Sequence, residues 1–146
     1  MNMVQVYIKG QEDKELSSFL RYYPVRIKNI GMDAFFDRQV VYDFKDDRNH
    51  ADVVKCVAKM LIKVVGERTA VHVTKVKKDE REKRLKEKNN IEVDANFFKN
   101  KIVCIWDDVV TTGTSFCAYT AQLEQVGAHV TNGIFLGKTS YKYVQQ

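Results

Sequence analysis

The sequence predicts an α/β fold with a mostly parallel sheet flanked by helices, and three observations predict it. The run from Ile102 to Trp106 is continuously apolar between Lys101 and Asp107, as in a strand covered on both faces. A helical pattern from Ser115 to Val126 stops at Gly127. Ala128 to Leu136 then returns to a strand-like run. Strand, glycine-containing turn, helix, glycine and strand make a βαβ unit, whose two strands lie parallel. At 146 residues, with 45% hydrophobic content and a single proline, the chain is sized for one domain, 1–146, with its own core. Its 29% charged and 11% aromatic content excludes global disorder, because enough apolar surface can be buried to offset the entropy of ordering.

Earlier elements are read in order. Val4 to Ile8 alternates like a short strand. Glu15 to Tyr23 reads as one or two helical turns before Pro24. The segment AFFDRQVVYDF, Ala34 to Phe44, is aromatic and β-branched, which favours a strand, and the DDRN after it supplies turn chemistry. Asn49 reads as the N-cap of a helix from His50 to Val65. There Val54, Val57, Ala58, Leu61, Ile62 and Val65 recur at helical spacing, and Gly66 stands at the C-terminal stop. Thr69 to Val73 is a β-branched strand, and Lys75 to Lys88 is almost wholly charged until Asn89 and Asn90 end it.

Charge and cysteine usage narrow the setting. Net charge is +5, from 24 Lys and Arg against 19 Asp and Glu. Lys75 to Lys88 holds eight basic and four acidic residues, so most of the excess sits in one segment, where it suits an anionic partner. Cys56, Cys104 and Cys117 are odd in number, lack C-x-x-C spacing and lie in apolar stretches, which fits small buried hydrophobes in a reducing compartment. The start MNMVQVYIKG lacks the pattern of a signal peptide, and the most apolar later stretch, Val57 to Val65, is broken by Lys59 and Lys63. The expectation is a cytoplasmic protein with no membrane partner.

The chemistry concentrates in Val103 to Ser115, VCIWDDVVTTGTS. A buried strand delivers its carboxyl end to the sheet edge, where open α/β sheets bind ligands. Asp107 and Asp108 follow as acceptors suited to vicinal sugar hydroxyls. Thr111, Thr112, Gly113, Thr114 and Ser115 offer hydroxyls and backbone N–H groups at a helix N-terminus, where the helix dipole favours an anion. Diol acceptors beside a phosphate cradle describe a ribose 5-phosphate site. A plain βα turn would explain each feature alone; the whole set in register is the specific signal.

This window resembles the phosphoribosyl-pyrophosphate (PRPP) motif of the type I phosphoribosyltransferases. The following helix, the Gly127-Ala128 turn and the strand ending GIFLGKT resemble the same family, particularly its competence-protein-F-like branch, from about Ile91 to Thr139. The resemblance implies a type I phosphoribosyltransferase-like fold with a reduced hood or pyrophosphate-loop region. It implies that Asp107 and Asp108 hold the ribose hydroxyls, and that the cradle Val109, Val110, Thr111, Thr112, Gly113, Thr114 and Ser115 holds the 5-phosphate. Mg²⁺ would arrive with the pyrophosphate of PRPP, with no metal ligand assigned directly. Asp107, Asp108 and Thr111 are the implied catalytic positions. Some purine-salvage members place an Asp at the position of Thr111, and a threonine is a poor general base, which argues against a hypoxanthine or guanine enzyme.

Catalytic members also carry a pyrophosphate loop after an early strand and a hood before the motif strand. Only Thr74 to Lys101 separates the strand Thr69 to Val73 from the motif strand, too short for both parts in full. Either Thr74, Lys75 and Lys77 meet the pyrophosphate and the hood is nearly missing, or the charged segment is the hood and the pyrophosphate loop comes from the turn at Asp46 to Asn49. The second is preferred, because the basic segment followed by IEVDANFFKNK resembles the family's approach to its motif. Lys75, Lys77, Lys78, Arg81 and Arg84 are then candidates to neutralise pyrophosphate. A solvated helix braced by Asp79 with Lys83 and Glu82 with Lys86 accounts for the same segment.

Other motifs are weaker. Gly137-Lys138-Thr139 ends like a P-loop, but Asn132 stands where the earlier glycine is required. His50, His72 and His129 lack metal-ligand spacing, and Trp106 reads as core. The expected function is PRPP-dependent transfer of a phosphoribosyl group to a nitrogenous acceptor with release of pyrophosphate; a homodimer is compatible with it. The rivals are a noncatalytic PRPP or nucleotide sensor that keeps the cradle, and a competence-related nucleic-acid module. No aromatic interleaves the basic segment to support the last.

Overall fold

The computed structural model describes residues 3–66 and 93–144. Four strands, β1 (Val4–Gln5), β2 (Glu15–Tyr22), β3 (Ile102–Val110) and β4 (His129–Thr139), form one sheet in the order β1-β2-β4-β3. β4 runs parallel to both β2 and β3, while β1 pairs antiparallel with β2. The fold is α/β and its sheet is mixed: the two-residue β1 breaks the parallel arrangement. The helices are α1 (Met32–Lys45), α2 (Ala51–Val65), the single turn α3 (Ala95–Phe98) and α4 (Thr114–Gln125).

The βαβ unit read from the sequence is present as β3, α4 and β4, with eight register pairs between its strands. Gly127 ends α4 at φ +94°, the left-handed region that glycine enters at least cost. Two core clusters lie on opposite faces of the sheet. Leu16, Ile105, Phe116, Leu123 and Phe135 pack beneath α4, joined by Val6 and Ile8 from the β1–β2 connection. Phe19, Val41, Val57, Ile134 and Leu136 pack beneath α1 and α2. Phe135 and Leu136, at 1% and 2% exposure, face opposite clusters, and burial of such side chains contributes about 1.5–3 kcal/mol each.

Two segments depart from the sequence reading. The segment Glu15 to Tyr23, expected to be helical, holds strand β2 over Glu15–Tyr22. Leu16, Phe19 and Leu20 sit at helical spacing, but a strand clothed on both faces is apolar whatever its parity, with Leu16 in one cluster and Phe19 in the other. Ala34 to Phe44, expected to be a strand, lies in helix α1. Only Ala34 and Val41 are fully buried there, two helical turns apart, while Phe35 and Phe36 stay exposed. β-propensity lost to a tertiary demand for one buried stripe. On that helix Arg38 donates to the carbonyls of Tyr23, Pro24 and Ile27 at 2.6, 3.0 and 2.8 Å, which fastens the β2–α1 connection.

Smaller differences have local causes. Asn49 takes φ +45° in the turn, and His50 occupies the N-cap position of α2 without a side-chain cap bond. β3 runs on to Val110, four residues past Trp106, and as one of the two edge strands among the described residues it leaves Ile102 78% exposed rather than covered. The strand read at Thr69 to Val73, the charged segment Lys75 to Lys88 and His72 lie outside the described residues.

The cysteines are not uniformly buried. Cys56 is exposed on α2, whereas burial pushes the Cys104 thiol up to about 11. Since the thiolate is the reactive form, iodoacetamide at about pH 8 is expected to label Cys56 in the native protein and to spare Cys104. Equal labelling rates, read by peptide mass mapping, would contradict this burial.

Candidate functional site

β3 brings Asp107 and Asp108 towards the carboxyl end of the parallel strands. Side chains a single, three or five residues apart on a regular strand face opposite ways. Yet Ile105 and Val110 pack in one cluster, and Trp106 and Val109 in the other. The alternation therefore reverses across the two acids. Each carboxylate folds onto the next amide: Asp108 N–H donates to Asp107 Oδ1 at 2.8 Å, and Val109 N–H donates to Asp108 Oδ1 at 2.7 Å. Asp107 is exposed and the Asp108 side chain 38% exposed, so carboxylate oxygens remain accessible at the sheet edge.

Thr111, Thr112 and Gly113 turn the chain from β3 into α4. Gly113 sits at φ +86°, and a Cβ placed on it would fall 2.7 Å from Ile8 Cγ2. Both the backbone angle and the packing of the β1–β2 connection demand glycine. As N-cap residue it has no side chain with which to cap α4. The Thr112 and Thr114 hydroxyls meet at 2.9 Å, and Ser115 is exposed in the first helical turn. Hydroxyls, a left-handed glycine and a helix N-terminus thus gather within a few residues of two carboxylates.

Three residues not assigned to the site from sequence complete its surroundings. Lys138 Nζ donates to the Thr111 carbonyl at 2.6 Å, and the Thr139 hydroxyl meets that of Thr111 at 2.8 Å. Burial holds the Lys138 ammonium below the ordinary lysine range. Lys45, in the last turn of α1, places its Nζ 4.0 Å from Asp108 Oδ2. Both groups are well exposed, so the pair adds little stability, and its value lies in bringing a cation to the acids. The signal for Lys138 is the parallel register, which sets Val110 beside Lys138. Nothing local marks Lys45, which is far away in sequence.

The candidate cradle, Asp107, Asp108, Val109, Val110, Thr111, Thr112, Gly113, Thr114 and Ser115, is contiguous in space as in sequence. Lys75, Lys77, Lys78, Arg81 and Arg84 lie outside the described residues. Of the two placements for a pyrophosphate loop, the one at Thr74, Lys75 and Lys77 lies outside them as well. The turn at Asp46 to Asn49 joins α1 to α2, following a helix rather than a strand. Asp47 and Asn49 both take left-handed backbone angles there, and Arg48 Nη2 lies 3.0 Å from Asp46 Oδ2.

The weaker motifs resolve simply. Gly137-Lys138-Thr139 is part of β4, so no phosphate-wrapping loop exists there. Trp106 meets Phe19 and Phe44 edge-to-face at 6.4 and 6.1 Å, within the core. His50 Nε2 is 3.0 Å from Asp47 Oδ1, and His129 opens β4. Among the described residues no three His, Cys, Asp or Glu side chains gather as a metal cage, and no helix is long and apolar enough to cross a membrane. Compared with protein-family models, curated proteins and solved structures, the chain matches none of them.

Proposed function

We propose that the chain binds PRPP as a phosphoribosyltransferase of the type I class, transferring the 5-phosphoribosyl group to a nitrogenous acceptor with release of pyrophosphate. The observation that carries this reading is the βαβ unit in which two adjacent acids at the end of β3 run through a threonine-glycine turn into α4. Asp107 and Asp108 would accept hydrogen bonds from the two ribose hydroxyls. The Thr111–Ser115 hydroxyls and the α4 N-terminus would hold the 5-phosphate. Fixing both ends of the sugar orients the anomeric carbon, and the charge building on the departing pyrophosphate calls for cations, of which Lys45, 4.0 Å from Asp108, is one among the described residues.

Magnesium fits this site as a partner of the substrate. The acids of β3 offer hard carboxylate oxygens, too few to enclose the ion, a donor set that suits Mg²⁺ held mainly by phosphates. Carried in with PRPP, the ion would supply charge neutralisation at the pyrophosphate, while Asp107 and Asp108 hold the ribose hydroxyls.

A second reading, a noncatalytic sensor that keeps the cradle, is favoured by the short interval before β3. α3 and the turn after it occupy residues 95–100, which leaves still less chain for a hood. Thermal melts with Mg²⁺ and PRPP test both. At about 100 times Kd the melting temperature should rise by about 5–10 °C. No shift would overturn both readings. Pyrophosphate release with a panel of nitrogenous bases then separates enzyme from sensor, and steeply salt-dependent binding to single-stranded DNA instead would favour a nucleic-acid module.

A further inference from the structure

We propose that Lys138 and Thr139, at the end of β4, are positioning residues that clamp the Thr111–Gly113 turn in its phosphate-holding shape. The role rests on the phosphoribosyl reading above, while the clamp itself is a property of the ligand-free fold. Parallel pairing sets Val110 beside Lys138, so the last residues of β4 reach the turn as it leaves the sheet. Two contacts follow. The Lys138 ammonium donates to the Thr111 carbonyl at 2.6 Å, and the Thr139 hydroxyl, on a residue only 7% exposed, meets the Thr111 hydroxyl at 2.8 Å.

The turn needs such a fastening. Thr111 and Thr112 are exposed, and Gly113 carries no side chain to cap α4. Ile8 packs against Gly113 from below, which fixes one side of the turn; Lys138 and Thr139 fix the other. A charge-assisted bond to a carbonyl is the stronger of the two kinds of contact here. It also carries positive charge to the floor of the cradle without spending the ammonium's other two N–H groups. Lys138 thus serves both to hold the backbone and to favour an anion above it.

The experiment compares the wild type with Lys138→Met, Thr139→Val and their double variant. In ligand-free protein, ¹⁵N relaxation should give Thr112 and Gly113 order parameters of about 0.85 in the wild type and below about 0.6 in the double variant, with β3, β4 and α4 unchanged. Lys138→Arg, which keeps a cationic donor, should restore the rigid value. Ribose 5-phosphate should bind the double variant about 10- to 100-fold more weakly, while inorganic pyrophosphate, which does not sit in the turn, should bind as before.

Unchanged order parameters in the double variant would overturn the clamp, as would equal losses for both probes with a general fall in stability. If the wild type binds neither PRPP nor ribose 5-phosphate, the phosphoribosyl reading fails on its own, and the relaxation data still decide whether the clamp exists.

Discussion

Replacing Asp107 and Asp108 together by asparagine is expected to weaken PRPP binding by about 100- to 10,000-fold and to leave the fold intact. Each carboxylate is assigned one ribose hydroxyl, and a hydrogen bond to a charged group is worth about 1.5–3 kcal/mol. The fold should survive because Asp107 Oδ1 serves the Asp108 amide and Asp108 Oδ1 the Val109 amide, while the Lys45 pair at Asp108 Oδ2 is well exposed and adds little stability. Asparagine keeps a carbonyl oxygen for that bond, while it removes the charge and replaces the other acceptor oxygen by an N–H donor. Calorimetric titration with Mg²⁺ and PRPP, beside a thermal melt by circular dichroism, reads the two effects separately. Wild-type affinity in the double variant would remove these acids from the site.

Gly113→Ala should cost stability and ligand binding at once. Its φ of +86° is left-handed, which costs a residue bearing a Cβ about 1–2 kcal/mol. The new methyl would also lie 2.7 to 2.8 Å from three carbons of Ile8, a residue 4% exposed and held in the core. Overpacking of that kind costs about 1–3 kcal/mol more. The sum, about 2–5 kcal/mol, should appear as a lower urea midpoint with an unchanged slope. Because relief must come from moving either Ile8 or the turn, binding of ribose 5-phosphate should fall too. An alanine variant with wild-type stability would mean that the turn does not need this backbone angle.

These two experiments probe different origins of the site. The acids and the threonine-glycine cluster were legible as one contiguous stretch, since a strand, a turn and a helix start follow each other in a short window. The strand–helix–strand order from Ile102 to Leu136 was equally plain, because its apolar runs are long and end at Asp107 or at glycine. Two local patterns mislead: Glu15 to Tyr23, which looks helical, holds a strand, and Ala34 to Phe44, which looks like a strand, lies in a helix. In the first, a strand buried on both faces carries apolar residues at spacings that imitate a helix. In the second, Phe35, Phe36, Val40 and Val41 carry strong β-propensity, yet the helix buries only the stripe through Ala34 and Val41.

The residues that surround the cradle were less visible. Lys138 and Thr139 stood in the sequence as a failed P-loop ending, and their meaning depends on which β4 residue lies beside Val110. A change of one residue in that register would aim the other set of side chains at the turn. Lys45 reaches Asp108 because α1 crosses the face of the sheet, with Val41 and Phe44 packed in the cluster that also holds Trp106.

The sequence by itself determined the α/β class, the βαβ unit and the line of acids, hydroxyls and glycine within it. Those depend on local order along the chain, where hydrophobic period, turn chemistry and helix stops act over a few residues. Only the tertiary structure decided that β2 is a strand and α1 a helix, that the sheet is mixed, that Ile8, Lys138 and Thr139 converge on the Thr111–Gly113 turn, and that Lys45 reaches Asp108. The physical reason is that burial and register are properties of pairs distant in sequence: a side chain's partner across a sheet is set by the packing of the whole core, which outweighs the local preference of any single segment.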